Sequence, residues 1–596
     1  MRAPSAMTTL GRNRCTGLAP ILAAAAAMLI VGWGPAQKDV AKQIDAYLTR
    51  LEGFGFSGAL LVAKDGRIQF QKAYGLADRD PAVPFRTNAI FDVGSVTKQF
   101  TATAILILES EGKLAVTDSI GKFFGNVPAD KAGITLHHLL THTSGLAIGF
   151  DGDYERVSRQ EIVETAMRSP LASRPGSRHA YSNAGYSLLA AVVEIASGQS
   201  YEAFTTARMF RPAGMLSTGY FLPAAMHSRM AVGYEGETEW GIGADRAAKT
   251  EGDFWNLIGN GGVHSTVEDL NRWMVALEGG QILPAAVLKK LWEPKVLVRE
   301  NYANTGAPLH YAYGWYVLES PAGKTRIWHL GGNGIFNCAV RWQVEDRTLV
   351  VYGSNVAEFH DPAYPVPAVE RMLAGEEVAL PPTVLVMDRA RMAAHDGRYR
   401  AASGDELRIT ATNRSLSVEG EGQAAFSFVT RGTWSNNPVL DSLTARIRET
   451  VENSRLGRYD AMVTAYGPGA TVESVGSLER EFWRKRHDRH GEYVKTRVLG
   501  TLPSRARLFP ATTYVTIDFT RGSTYREYIW GESRTIVDLG PILAPPSARF
   551  FPESTGCFAA FEPAEAKTSR ICFDPGRSEL TVSDWSGDSV ELRKTP

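Results

Sequence analysis

Apolar residues recur three to four positions apart at Val40, Ile44, Leu48 and Leu51, which predicts an amphipathic helix. The period then shortens. Ala59-Leu-Leu-Val-Ala63, a turn at Asp65-Gly66 and residues 67–70 read as a β-hairpin. Three more strands are predicted much later, over residues 325–330, 337–343 and 348–352, the last two joined through Glu345-Asp-Arg347. Helical spacing dominates between these strand groups. Residues 96–110 place Phe100, Ala104, Ile107 and Leu108 on one side, and residues 184–196 form a helix stopped by Gly198. The pattern therefore predicts an α+β domain: one antiparallel sheet drawn from both ends, flanked by helices, with a helical region inserted between.

The pattern changes near Gly375, and Pro381-Pro382 reads as a linker. Short alternating strands follow over residues 406–411 and 415–419, around Asn413-Arg-Ser415, and a further strand over residues 514–520 closes at Arg521-Gly522. Residues 478–487 are expected to be helical, with Arg480, Arg484, Lys485 and Arg486 as a solvated face. We therefore expect a first domain over residues 37–375 and a β-rich domain over 376–475. A second β-rich region spans 476–596, separate from or continuous with the previous one.

Residues 1–36 read as a signal peptide: Arg2, Arg12 and Arg14, an apolar run over 18–33, then small residues at Gly34-Pro-Ala36. Cleaved or kept as an anchor, it puts the remainder outside the cytoplasm, periplasmic or extracellular. Of the four cysteines, Cys15 belongs to the leader and Cys338 sits in a strand as a small core residue. Cys557 and Cys572 are spaced to bridge a hairpin, or to stay as two thiols.

Composition narrows the function by exclusion. At 44% hydrophobic and 21% charged, with 64 basic and 64 acidic residues in 596, the chain is expected to be globular, with no signature of nucleic-acid or anionic-membrane binding. It has neither a phosphate-binding loop nor a dinucleotide fingerprint. His137, His138 and His142 lack a carboxylate at zinc-ligand spacing. No cofactor or metal is expected, and the expected partner is a small ester or peptide substrate.

Three short motifs carry chemistry. Ser95-Val-Thr-Lys98 opens the helix over 96–110. A serine there projects where the helix dipole favours an oxyanion, and Lys98, three residues on, lies on the same face, where poor solvation makes it a base. Ser110-Glu-Gly-Lys113 and Ser119-Ile-Gly-Lys122 match the same spacing without an apolar helix behind them. Tyr181-Ser-Asn183 precedes a helix, placing a phenol to move a proton and an amide to hold a substrate carbonyl. His329-Leu-Gly331-Gly332 ends a strand. Its bare backbone at Gly331 and Gly332 can admit substrate, the Gly332 N–H can pair with that of Ser95 as an oxyanion hole, and His329 can bind a carboxylate or assist proton movement.

Taken together, Phe91-Asp-Val-Gly-Ser-Val-Thr-Lys98, Leu139-Leu-Thr-His-Thr-Ser-Gly-Leu146, Tyr181-Ser-Asn-Ala-Gly-Tyr186, Gly259-Asn-Gly-Gly262 with Ser265-Thr-Val-Glu-Asp269, and His329-Leu-Gly331 resemble the penicillin-recognising serine hydrolases. The resemblance covers roughly residues 40–373. It is to the branch holding class C β-lactamases, D-stereospecific peptidases and related esterases. It implies that Ser95 is acylated, that Lys98 and Tyr181 move protons and that Asn183 holds substrate. It also marks one departure: β-lactamases of this branch usually carry a lysine, which helps bind the substrate carboxylate, where this chain has His329. The expected activity is exported hydrolysis of an ester or amide through an acyl-enzyme, D-amino-acid peptides among the candidates. The alternatives are a β-lactamase or D,D-peptidase acting on cell-wall peptides, and a non-catalytic binder that keeps the pocket.

Overall fold

In a computed structural model of the protein, the described residues are 35–149, 152–235, 238–302, 305–356, 364–435, 437–467, 470–503, 511–531, 533–542, 546–562, 566–576 and 578–595. The expected leader lies outside them, apart from its last two residues, which open the helix Pro35–Gly53. Among the described residues no helix is long and apolar enough to cross a membrane.

Eight antiparallel strands form the central sheet, in the order Arg67–Tyr74, Gly58–Lys64, Thr348–Ser354, Asn337–Gln343, Thr325–Gly332, Tyr316–Glu319, Leu309–Tyr311 and Val296–Arg299. The N-terminal hairpin thus joins the late strands, with Leu61 opposite Val351. Gly58–Lys64 is apolar without alternation because both sheet faces are covered. Ala59, Leu61 and Ala63 pack into the core shared with the helix Thr97–Ser110. Leu60 and Val62 pack against the helices Pro35–Gly53 and Val366–Leu373 on the other side. The helical region lies between the strand groups and includes Asn183–Ser197, which ends at Gly198 with φ +71°. Only glycine takes that left-handed cap without strain.

The C-terminal region, expected as two β-rich stretches separate or continuous, draws one barrel from both. Gly397–Ala401, Glu406–Ala411 and Leu416–Glu421 close a barrel with Ala548–Pro552, Cys557–Glu562, Lys567–Phe573, Glu579–Ser583 and Ser589–Lys594. Between its third and fourth strands lie the helices Gln423–Arg431, Pro438–Arg455, Asp460–Tyr466 and Val472–His490 and a four-stranded sheet. Val475, near the expected boundary, lies buried inside the last of these helices. The boundary is displaced because a barrel closes by pairing strands from both ends of its sequence (Leu416 opposite Phe550) and encloses whatever lies between. Cys557 and Cys572 face each other in one hairpin and are bridged, while Cys338 is buried and free. The barrel meets the first domain through Phe551 and Phe561. Their rings lie 5.3 and 6.0 Å from that of Phe54, on the sheet face away from Ser95.

Candidate active site

The site forms where the helical region meets the edge of the strand Thr325–Gly332. Ser95 sits on a single 3₁₀ turn, Gly94–Val96, that runs into the helix Thr97–Ser110. Gly94 has φ +51°, and a Cβ on it would lie 2.6 Å from the Gly332 nitrogen. The turn can therefore press against the strand end only with glycine at this position. Gly331 is bare for the same reason: a Cβ there would run into Val93 O. Gly332 is exposed, beside that turn.

Lys98 is fully buried. Its Nζ lies 3.0 Å from Ser95 Oγ, 2.8 Å from Asn183 Oδ1 and 2.8 Å from the carbonyl oxygen of Asn260. Burial drives its pKa well below the usual lysine value, and the charge of Asp153 opposes this in part. A neutral amine has two hydrogens. The two carbonyl oxygens can only accept, so they take both, and the lone pair faces Ser95. Asn260 was not singled out as a ligand of this amine from sequence, although it lies in the Gly-Asn-Gly-Gly stretch.

Tyr181 hydrogen-bonds to Ser95, and burial foremost keeps its hydroxyl protonated. Its ring lies 4.8 Å from Lys98 Nζ. Ser182 caps the helix Asn183–Ser197 by accepting from Gly185 N, and so fixes Tyr181 and Asn183 just outside and just inside the helix start. With Oδ1 facing Lys98, Asn183 keeps its Nδ2 as a donor. His142 supports the phenol. Its ring lies 4.2 Å from that of Tyr181, tilted by 34°, its Nδ1 accepts from Ser182 N at 3.0 Å, and burial holds it neutral.

His329 is placed differently from expectation. It is 1% exposed, its Nε2 meets the Tyr311 hydroxyl at 3.1 Å and its Nδ1 meets Leu330 O at 2.6 Å. Burial, with Lys98 nearby, pushes its pKa down to about 3. Both nitrogens are occupied and the ring is neutral, so neither carboxylate binding nor proton transfer to substrate has a group to act through. Of the histidines weighed for a metal, His137 and His138 are engaged as well as His142. His137 bonds Tyr313 at 2.8 Å, and His138 completes the cap of the helix Leu136–Leu140.

One buried carboxylate carried no role in the motif reading. Asp92 accepts from Gly94 N at 2.7 Å, Asn333 Nδ2 at 3.1 Å and the Tyr154 hydroxyl at 3.3 Å. Burial raises its pKa to about 6.

Residues 46–369 match the family model described as Beta-lactamase. Penicillin-binding protein 4* of Bacillus subtilis (strain 168) is 29% identical over 391 residues, which cover 62% of this chain and 84% of that protein. Protein flp of Staphylococcus aureus (strain NCTC 8325 / PS 47) is 27% identical over 295 residues, 47% of this chain and 56% of that one. Among solved structures, a penicillin binding protein from Bacillus halodurans aligns with a TM-score of 0.46 at 26% identity, covering 54% of this chain and 98% of that chain.

Proposed function

This chain belongs to the beta-lactamase family, and from that premise we propose that it is an exported serine hydrolase that cleaves an ester or amide through an acyl-enzyme at Ser95. The observation that carries the reading is the set of three contacts made by Lys98 Nζ. A buried amine with both hydrogens bound to carbonyls is a base aimed at the Ser95 hydroxyl.

Ser95 Oγ attacks the substrate carbonyl carbon as its proton passes to Lys98. The oxygen that gains negative charge lies between the N–H groups of Ser95 and Gly332. Asn183 Nδ2 donates to the substrate's own carbonyl. Tyr181, a neutral phenol, gives its proton to the departing oxygen or nitrogen as the tetrahedral intermediate collapses to the Ser95 ester, and takes up in its place the proton that Lys98 had accepted, which leaves Lys98 neutral again. Water then attacks that ester with its proton passing to Lys98, and that proton goes on to Ser95 Oγ as the Oγ–acyl bond breaks and the acid leaves. Export is supported by the leader composition and by the Cys557–Cys572 bridge, which persists in oxidising compartments.

The alternative substrates are β-lactams and cell-wall D,D-peptides, which carry a carboxylate. The relatives' names favour this reading. The neutral, fully engaged His329 weighs against it. A nitrocefin assay beside a p-nitrophenyl acetate assay separates the two, and the ester is expected to turn over faster. A fluorophosphonate probe tests the nucleophile itself: labelling is expected to vanish in Ser95→Ala, and labelling that survives removes the assignment.

A further inference from the structure

The mechanism leaves Asp92 without a task, although it is 2% exposed and collects three donors, one from two residues away and two from remote parts of the chain. Gly94, one donor, immediately precedes Ser95. Asn333, the second, immediately follows Gly332. Tyr154, the third, belongs to the loop leading to the helix Arg159–Arg168, and its ring packs 5.7 Å from that of Trp240. The Asn333 amide cannot turn round. Its Oδ1 already accepts from Ile335 N at 3.0 Å and Phe336 N at 2.8 Å, so its Nδ2 must face the carboxylate. All three donors are neutral: Gly94 N meets one carboxylate oxygen, and the Asn333 amide and the Tyr154 hydroxyl share the other.

We propose that Asp92 is the positioning residue of the oxyanion hole: one carboxylate ties the turn carrying Ser95 N to the strand end carrying Gly332 N, and fixes the gap between the two donors. The inference rests on the serine-hydrolase reading of the same site. The two N–H groups come from segments that no strand ladder joins. Gly332 pairs only with Asn337 on the next strand, away from Ser95. Contact at the glycines sets how near the two walls approach, and the carboxylate sets that they stay together. Displacement of one oxyanion donor by about 1 Å lowers rates on the order of a hundredfold. Asp92 does not touch substrate.

A donor–acceptor swap in the full-length chain tests this. Asp92→Asn keeps an oxygen for Gly94 N but turns an N–H toward the Asn333 N–H, breaking the tie. Asp92→Asn combined with Asn333→Asp rebuilds it in reverse. The carboxylate then stands at position 333, where it accepts from the amide at position 92 and still accepts from Ile335 N and Phe336 N. The readout is the rate of Ser95 phosphonylation by a fluorophosphonate, in which the Oγ–P bond forms, the P–F bond breaks, fluoride leaves and the serine proton goes to Lys98. Asp92→Asn is expected to lower the maximal labelling rate by at least about tenfold, with the half-saturating probe concentration within about threefold, and the swap to recover most of that loss. Wild-type labelling rates in Asp92→Asn overturn the proposal. So does a swap variant as slow as the single one while melting at the wild-type temperature. Should Asp92→Asn not fold, Asn333→Ala removes the strand-end donor and keeps those of Gly94 and Tyr154: a lowered maximal rate supports the tie, and an unchanged rate overturns it. A wild-type chain unlabelled at Ser95 instead refutes the serine-hydrolase reading, which keeps the two failures apart.

Discussion

Two buried basic side chains, one in each half of the molecule, meet opposite fates. Arg526, in the C-terminal insertion, makes paired hydrogen bonds to Glu479 at 2.7 and 3.1 Å. Glu479 also accepts from Ser454, and the Trp483 indole donates to the same serine. Burial opposes the charge of Arg526, but Tyr528 and Glu479 outweigh it and its pKa rises. Lys98 is buried as deeply, yet all its acceptors are neutral and its pKa falls. A satisfied ion pair holds a fold. An amine without a counter-ion in hydrogen-bond contact is kept as a base, with stability given up for reactivity.

That contrast orders the expected effects of substitution on turnover. Ser95→Ala should abolish turnover of p-nitrophenyl acetate and leave the melting temperature unchanged. Lys98→Ala should lower kcat by about 10³-fold, and Tyr181→Phe by about 10²-fold, each with a smaller change in KM. Equal changes in kcat and KM would make both residues structural. Glu479→Ala should reverse the pattern. It strands a buried guanidinium, costs about 3–5 kcal/mol in denaturant unfolding and leaves kcat/KM within about twofold in the folded fraction.

The pH dependence sharpens the same comparison. The unfolded chain's Lys98 titrates near its ordinary value of 10.5, and the folded one well below it. Between the two the unfolded state binds the extra proton, so this residue's contribution to stability rises with pH over that window. Activity needs the neutral amine and is lost as pH falls through the lowered value. Lys98→Met should flatten the stability slope, whereas changing the Glu479–Arg526 pair should not. The smallest effect on turnover is expected from Phe551→Ala. It removes a ring packed on Phe54 behind the sheet, at about 3 kcal/mol, with kcat unaltered.

The parts legible in sequence were those encoded locally. The helix through Lys98, the start of the helix after Tyr181 and the hairpin at Asp65-Gly66 all follow from short-range patterning, and the ordered motifs brought Ser95, Lys98, Tyr181 and Asn183 to one place. Asp92 was not legible as a hub, because its partners lie 62 and 241 residues away. His329 was misread because a histidine's role depends on what its nitrogens meet, and Tyr311 comes from a different strand. Leu443, Ile447 and Val451 carry a four-residue spacing, yet residues 376–475 were read as β-rich and the helix Pro438–Arg455 was missed. The enclosing barrel was not legible, since its closure rests on pairing between distant strands.

The central claim is that Ser95 carries the acyl group. Acid-quenching the full-length protein during turnover of a p-nitrophenyl ester and mapping the acyl group by peptide mass spectrometry tests it directly. The account expects the added mass on the peptide holding Ser95, and neither adduct nor turnover in Ser95→Ala. An acyl group on another residue, or turnover that persists without Ser95, would contradict it.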